Sequence, residues 1–207
     1  MRSRPLACRL VVAILFVGVL ASCGGGGGGS SPSTTGGATF TLSGQIQKGP
    51  FSIGSQVSIN ELDESLNPTG KVYNVQTTND LGHFAVASQI GSHLVEIVGD
   101  GFYMDELTGQ LAASRIQLRA IADLGVDSTP TVNVLTSLQA QRLRHLISQG
   151  STYPAANTQS QNEVLTAFGI DPTKINSLST LYSMEINGNS DADSVLLAVS
   201  IILSKMA

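Results

Sequence analysis

The chain has 207 residues, 42% hydrophobic and 13% charged, with 11 basic residues against 15 acidic ones and a formal charge of −4. An acidic chain with scattered lysines and arginines argues against nucleic-acid binding, which needs a clustered positive surface. Its two cysteines, Cys8 and Cys23, supply no disulfide framework, so core packing alone must hold the fold.

At the amino terminus, Arg2, Arg4 and Arg9 precede an apolar run from Leu10 to Leu20. The run is shorter than the roughly 20 residues a membrane-spanning helix needs, so it reads as a charged n-region and an h-region of a signal peptide covering 1–22. Small residues, Ala21 and Ser22, lead into Cys23. The stretch Leu20-Ala21-Ser22-Cys23 resembles the lipobox of bacterial lipoproteins, in which an aliphatic and two small residues precede the modified cysteine. The resemblance implies cleavage between Ser22 and Cys23, a diacylglycerol thioether on Cys23 and acylation (palmitate or similar) of the new terminus. Several acyl chains pass the threshold for stable anchoring, at about 0.8 kcal/mol per buried methylene. The alternatives are an uncleaved signal anchor and a soluble export product with a chance cysteine. Gly24 stands where enteric lipoproteins retained at the inner membrane carry aspartate, so the resemblance points to the outer membrane, if the host has one.

Loss of residues 1–22 removes three arginines and no acid, leaving 8 basic against 15 acidic residues and a charge of −7. Cys8 leaves with the signal, so the lipidated protein would have no free thiol and no disulfide. Residues 23–37 follow the cut as Cys23, a glycine run from Gly24 to Gly29, and serine, threonine, proline and more glycine. Such a segment buries no core and is expected to behave as a flexible tether, reaching about 20 Å over residues 24–37. The glycines lack the Lys-Ser/Thr ending of a phosphate-binding loop.

From residue 38 to about 126 the pattern has period two. Phe40, Leu42 and Ile46 alternate with polar neighbours, as do Val57 and Ile59, Tyr73 and Val75, Phe84 and Val86, and Ile116, Leu118 and Ala120. Leu94 to Val98 is denser, with Glu96 inside it, and reads as a more central strand. Turn signals are Lys48-Gly49-Pro50, Asn67-Pro68-Thr69-Gly70, Asn79-Asp80-Leu81-Gly82, Gly99-Asp100-Gly101 and Thr108-Gly109. Short alternating strands with frequent turns predict an antiparallel β-sandwich.

The order Ser43-Gly44-Gln45-Ile46, Gly54 to Ile59, Thr77 to Phe84, Leu94 to Ile97 and Gly101-Phe102-Tyr103 resembles the carboxypeptidase regulatory-like, transthyretin-like sandwich domains. Its strongest element is the Thr-x-Asp-x-Gly-x-Phe turn from Thr78 to Phe84, where Asn79 and Asp80 are expected to cap, Gly82 to take positive φ and Phe84 to fill the core. The resemblance implies an accessory, binding or spacer module, not an active site. Asp100, Asp105 and Glu106 form the candidate ligand-binding cluster of this half, because hard cations and polar ligands favour several carboxylate oxygens. The alternative is a solvated loop between strands. His83 and His93, on different strands and without a third ligand at short spacing, give no metal site.

Residues 127–207 read as a helical region. Asp127-Ser128-Thr129-Pro130 is a turn, and Thr131 to Val134 either closes a last strand or enters a helix. Leu135, Leu138, Leu143, Leu146 and Ile147 share one helical stripe ending at Gly150. Arg142, Arg144 and His145 are either an anion-binding patch or cations favouring the helix carboxyl end, and the second is expected. A second helix starts near Pro154, with Thr152 as its cap and Gly169 as its stop. A short third one runs from Asp171-Pro172 through Ile175, Leu178 and Leu181. Asn187 to Asp193 is similar to an EF-hand loop, yet Ala192 and Ala198 stand where glycine and glutamate are required, so Ser or Asp caps for the next helix are expected. Val195 to Leu203 is apolar all round and is expected to be buried on several sides. Either three helices close around it or the sequence is the front of a longer protein, and the second is expected.

The fold class expected is α+β with segregated elements: an antiparallel β-sandwich (38–126) followed by a small helical region (127–207), behind a signal and a glycine-rich tether. The function expected is that of a lipid-anchored envelope protein acting as a non-enzymatic binding, assembly or display module. It would hold the membrane through Cys23 and have an envelope protein or glycan as partner. No catalytic residue, metal or cofactor is assigned. The chain carries no Gly-x-Ser-x-Gly, no His-Glu-x-x-His and no cysteine nucleophile. The alternatives are an envelope glycan or peptide hydrolase using Asp105 and Glu106, an accessory subunit of one, and a spacer for a further domain.

Overall fold

A computed structural model describes residues 38–175 and 180–206; the signal, Cys23, the tether and Leu178 lie outside the described residues. The strands are β1 (Phe40–Ile46), β2 (Gln56–Leu62), β3 (Pro68–Gln76), β4 (His83–Ile90), β5 (Leu94–Gly101), β6 (Ile116–Asp123) and β7 (Thr131–Val132). Four helices follow: α1 (Val134–Ser148), α2 (Tyr153–Ala167), the single turn α3 (Pro172–Ile175) and α4 (Asp191–Met206), with a 3-10 turn at Leu181–Ser183 before the last. The segregated α+β order is the one the sequence predicts.

The strands form two sheets, one ordered β4-β1-β7 and one ordered β3-β2-β5-β6. All pairings are antiparallel except β1 with β7, which run parallel over Gln45–Thr131 and Ile46–Val132. β5 lies between β2 and β6, as its dense apolar run predicts. Alternation places Leu42, Val57, Ile59, Phe84, Ile97, Leu118 and Ala120 between the sheets. Burying each large side chain contributes about 1.5–3 kcal/mol, which lets the described body hold without a crosslink.

Gly99-Asp100-Gly101, a turn signal in the sequence, instead completes β5. These glycines serve close approach: a Cβ on Gly99 would stand 2.3 Å from Ile46 Cδ1, and one on Gly101 would stand 2.1 Å from Ser55 Oγ. Likewise, Pro68 to Gly70 open β3, and the turn before them is made by Asp63, whose Oδ1 accepts from the Ser65 and Asn67 amides. The Thr78–Phe84 turn forms as expected in most of its parts. Asn79 Oδ1 accepts from Leu81 and His83, Gly82 has φ +78°, and Phe84 is buried. Asp80 does not cap it; its Oδ1 accepts from Ile53 N across the sandwich end at 2.9 Å.

Thr131 to Val134 does both things the sequence allows. Two residues pair as β7, Asn133 caps, and α1 starts at Val134. Because β7 is so short, helices complete the core beside it: Leu135, Leu165, Leu181, Leu196 and Val199 join the same apolar cluster as the strands. The other face of the β6 end packs Ile121 with Leu94, Leu143, Leu146 and Tyr153, so α1 and α2 form a third layer there.

The sequence predicts an α4 buried on several sides, but the helix buries one stripe, Ala192, Asp193, Leu196, Val199 and Ser200, and leaves Ile202 and Met206 exposed. It lies along the surface, where a period-3.6 stripe is all that meets the core.

Candidate functional site

A cleft of about 420 Å³ opens where the β6–β7 connection meets the start of α2. Ala122 and Asp123 come from the end of β6, Val126 and Asp127 from the connection, and Tyr153, Pro154, Asn157 and Thr158 from the first turns of α2. Tyr182 of the 3-10 turn also lines it. The volume falls within the range of small-ligand sites, and the walls combine aromatic faces and aliphatic groups with a few polar atoms.

The local sequence sets these positions. Pro154 fits the first turn of α2, where a missing N–H costs nothing, although Thr152 makes no side-chain cap bond. Leu124 to Val126 turn sharply because the Asp123 side chain accepts the Gly125 amide at 2.9 Å and its carbonyl accepts the Val126 amide at 3.0 Å, and Asp127 then shapes the next turn by accepting the Thr129 amide at 2.8 Å. The Tyr153 and Tyr182 hydroxyls each stand 2.8 Å from the Ile121 carbonyl, whose two lone pairs can accept both. Burial pushes both phenols well above the ordinary tyrosine range, so both remain neutral donors. Asn157 Oδ1 accepts from Gln139 Nε2 at 2.6 Å and lies 3.2 Å from Tyr182 Oη. The floor of the cleft is therefore polar and hydrogen-bonded, save for Gln139 Oε1 behind it, which is buried without a hydrogen-bond partner.

Asp123 is shared with a neighbour outside the cleft. Its Oδ1 lies 2.9 Å from His93 Nδ1, and His93 Nε2 lies 2.8 Å from Glu64 Oε1. The hydrogen bond to Glu64 raises the His93 pKa, partial burial opposes it, and Asp123 adds to the rise. The sequence places His93 on a strand; it stands in the turn between β4 and β5, where it joins two loops. Among the described residues no three His, Cys, Asp or Glu side chains gather as a metal group.

Asp100, Asp105 and Glu106, the sequence candidates, do not converge. Asp100 Oδ1 pairs with Arg115 Nε at 2.8 Å at the surface. Asp105 Oδ1 accepts from the Thr108 and Leu107 amides and the Thr108 hydroxyl, closing its own turn, and these bonds, led by the Thr108 amide, lower its pKa. Glu106 turns inward. Its Oε1 lies 2.9 Å from Lys48 Nζ, both side chains are at least nine-tenths buried, and Ser200 Oγ bonds the same oxygen. Lys48 also reaches Ser204 and lies 5.0 Å from the centre of the Tyr103 ring. This cluster ties α4 to the sandwich.

The arginines of α1 have partners of their own, and of the three expected cations His145 is the one in the last turn of the helix. Arg142 forms a fork with Glu163 of α2, and that hydrogen bond, helped by Gln159, holds the Glu163 pKa down to about 2. Arg144 reaches the Leu66 carbonyl at 2.6 Å and Glu96 at 3.0 Å. The loop from Asn187 to Asp193 closes on itself, as its caps predict: the Asp193 carboxylate accepts from Glu185 N, Ser190 N and Ser190 Oγ.

Sequence reasoning missed the cleft, Asp127, Tyr153, Tyr182 and Lys48. The one local signal is Tyr153-Pro154 at a helix start, which marks a helix and says nothing of a cavity. A second, polar groove of about 500 Å³ runs between Ser43, Gln45, His83, Thr129, Glu185 and Asn187. No family model, no curated protein and no solved structure matches this chain.

Proposed function

We propose that the protein is a lipid-anchored bacterial envelope protein that binds a partner or ligand without transforming it. Residues 1–22 serve as its signal, Cys23 as its lipid site and the glycine-rich segment as its tether. The observation that carries the non-enzymatic reading is the separate occupation of the three acidic candidates. Asp100 neutralises Arg115, Asp105 closes a turn, and Glu106 is buried against Lys48. A hydrolase built on paired carboxylates needs both groups facing one substrate. Such a face is offered by none of these three.

The lipid anchor is read from Leu20-Ala21-Ser22-Cys23 behind a signal-length apolar run. No described helix is long and apolar enough to cross a membrane. Fractionation of cells expressing the Cys23→Ala variant tests the anchor. The wild-type chain should pellet with membranes and the variant should move to the soluble fraction; a variant that still pellets would overturn the reading.

A further inference from the structure

We propose that the cleft at the start of α2 takes a small organic cation, an amine on an aromatic or aliphatic body, with Asp127 as its counter-charge. The inference rests on the binding-module reading above and names the chemistry of its ligand. Two features of the cleft suit an occupant of this kind. Val126 is 87% exposed on its rim, an aliphatic side chain left in water beside Pro154 and the Tyr153 ring. Asp127 stands beside it with one oxygen used by Thr129, and it forms no ion pair among the described residues.

Charge selects among apolar ligands. Asp123 is balanced in part by His93, so Asp127 is the open negative group. Against it stands the amino end of α2, worth about half a positive charge and confined to the first turn. A full carboxylate at the rim outweighs that, the more so as Asp123 adds to it. The tyrosine hydroxyls do not compete, because both point down to the Ile121 carbonyl. A carboxylate ligand would meet Asp127 with like charge. A neutral one would gain the apolar walls alone. An amine gains both, donating its N–H to the free oxygen of Asp127 in a charge-assisted hydrogen bond.

The test is equilibrium dialysis of the full chain, purified from whichever cell fraction holds it, against labelled phenethylamine, 2-phenylethanol and 3-phenylpropanoate, with protein-free compartments of the same buffer and detergent as blanks. The amine should bind saturably and about tenfold or more tighter than the alcohol, with the carboxylate weakest. Asp127→Asn keeps the oxygen that accepts from Thr129, so its fold should match the wild type by circular dichroism, while its preference for amine over alcohol disappears. Val126→Lys, at an exposed position, should weaken the amine by placing a cation at the rim. Equal binding of amine and alcohol, stronger binding of the carboxylate, no saturable binding, or an unchanged preference in Asp127→Asn would each overturn the proposal. The fraction from which the chain is recovered reports the lipid anchor separately, so failure of the cleft and failure of the anchor are read apart.

Discussion

Asn133 is fully buried, and the two ends of its amide bond different segments. Its Oδ1 accepts the Thr136 amide at 3.0 Å while Thr136 Oγ1 accepts the Asn133 amide, a reciprocal cap on α1. Its Nδ2 donates to the Leu181 carbonyl at 2.8 Å, which fixes the 3-10 turn that carries Tyr182. Loss of the cap costs about 1 kcal/mol, and the buried carbonyl left unsatisfied adds about 1–3 kcal/mol. Asn133→Ala should therefore lower the unfolding free energy by about 2–4 kcal/mol in urea denaturation. Thr152→Ala, at a cap that makes no side-chain bond, should stay within about 0.5 kcal/mol of the wild type. Equal costs would mean that the Asn133 network contributes nothing beyond the position. In the sequence Asn133 is one polar residue in an apolar stretch; its second partner lies 48 residues on, beyond any local pattern.

Among the elements, α4 shows where periodicity stops being informative. Its apolar residues run all round, yet part of what seats it is polar: beside Leu196 and Val199, Ser200 meets the Lys48 carbonyl and the Glu106 carboxylate, 152 and 94 positions away. Removing one charge of a buried pair leaves the other uncompensated, which costs about 3–5 kcal/mol, whereas replacing both by apolar groups is close to neutral. Lys48→Met should thus destabilise strongly, and Lys48→Met with Glu106→Leu should recover most of the loss in the same denaturation assay. A double variant as weak as the single one would show that the pair is not coupled. The strands were the legible part, because period two and the Thr78–Phe84 turn depend on neighbours in sequence. Gly99 and Gly101 misled because glycine marks both turns and close sheet contact, and only the opposing Ile46 and Ser55 distinguish the two. Asp105 and Glu106 misled for the related reason that adjacency in sequence says nothing about which one turns inward.

At the scale of the whole molecule, one apolar cluster runs from Leu42 in β1 to Val199 in α4, so the sandwich and the helices of the described body stabilise each other. The cleft exists only in that joint arrangement, since its walls come from the end of β6, the β6–β7 connection, α2 and the 3-10 turn. No single stretch of sequence carries it. The lipobox has the opposite character, four consecutive residues that need no partner to be read. What is proposed about the protein's place depends on those four. The most direct test is the mass of the amino-terminal proteolytic peptide of the protein recovered from the host's membranes. The account predicts a peptide that begins at Cys23 and carries both the diacylglycerol thioether and an acyl chain on its amino group. An unmodified Cys23, or a mature chain that begins elsewhere, would contradict it.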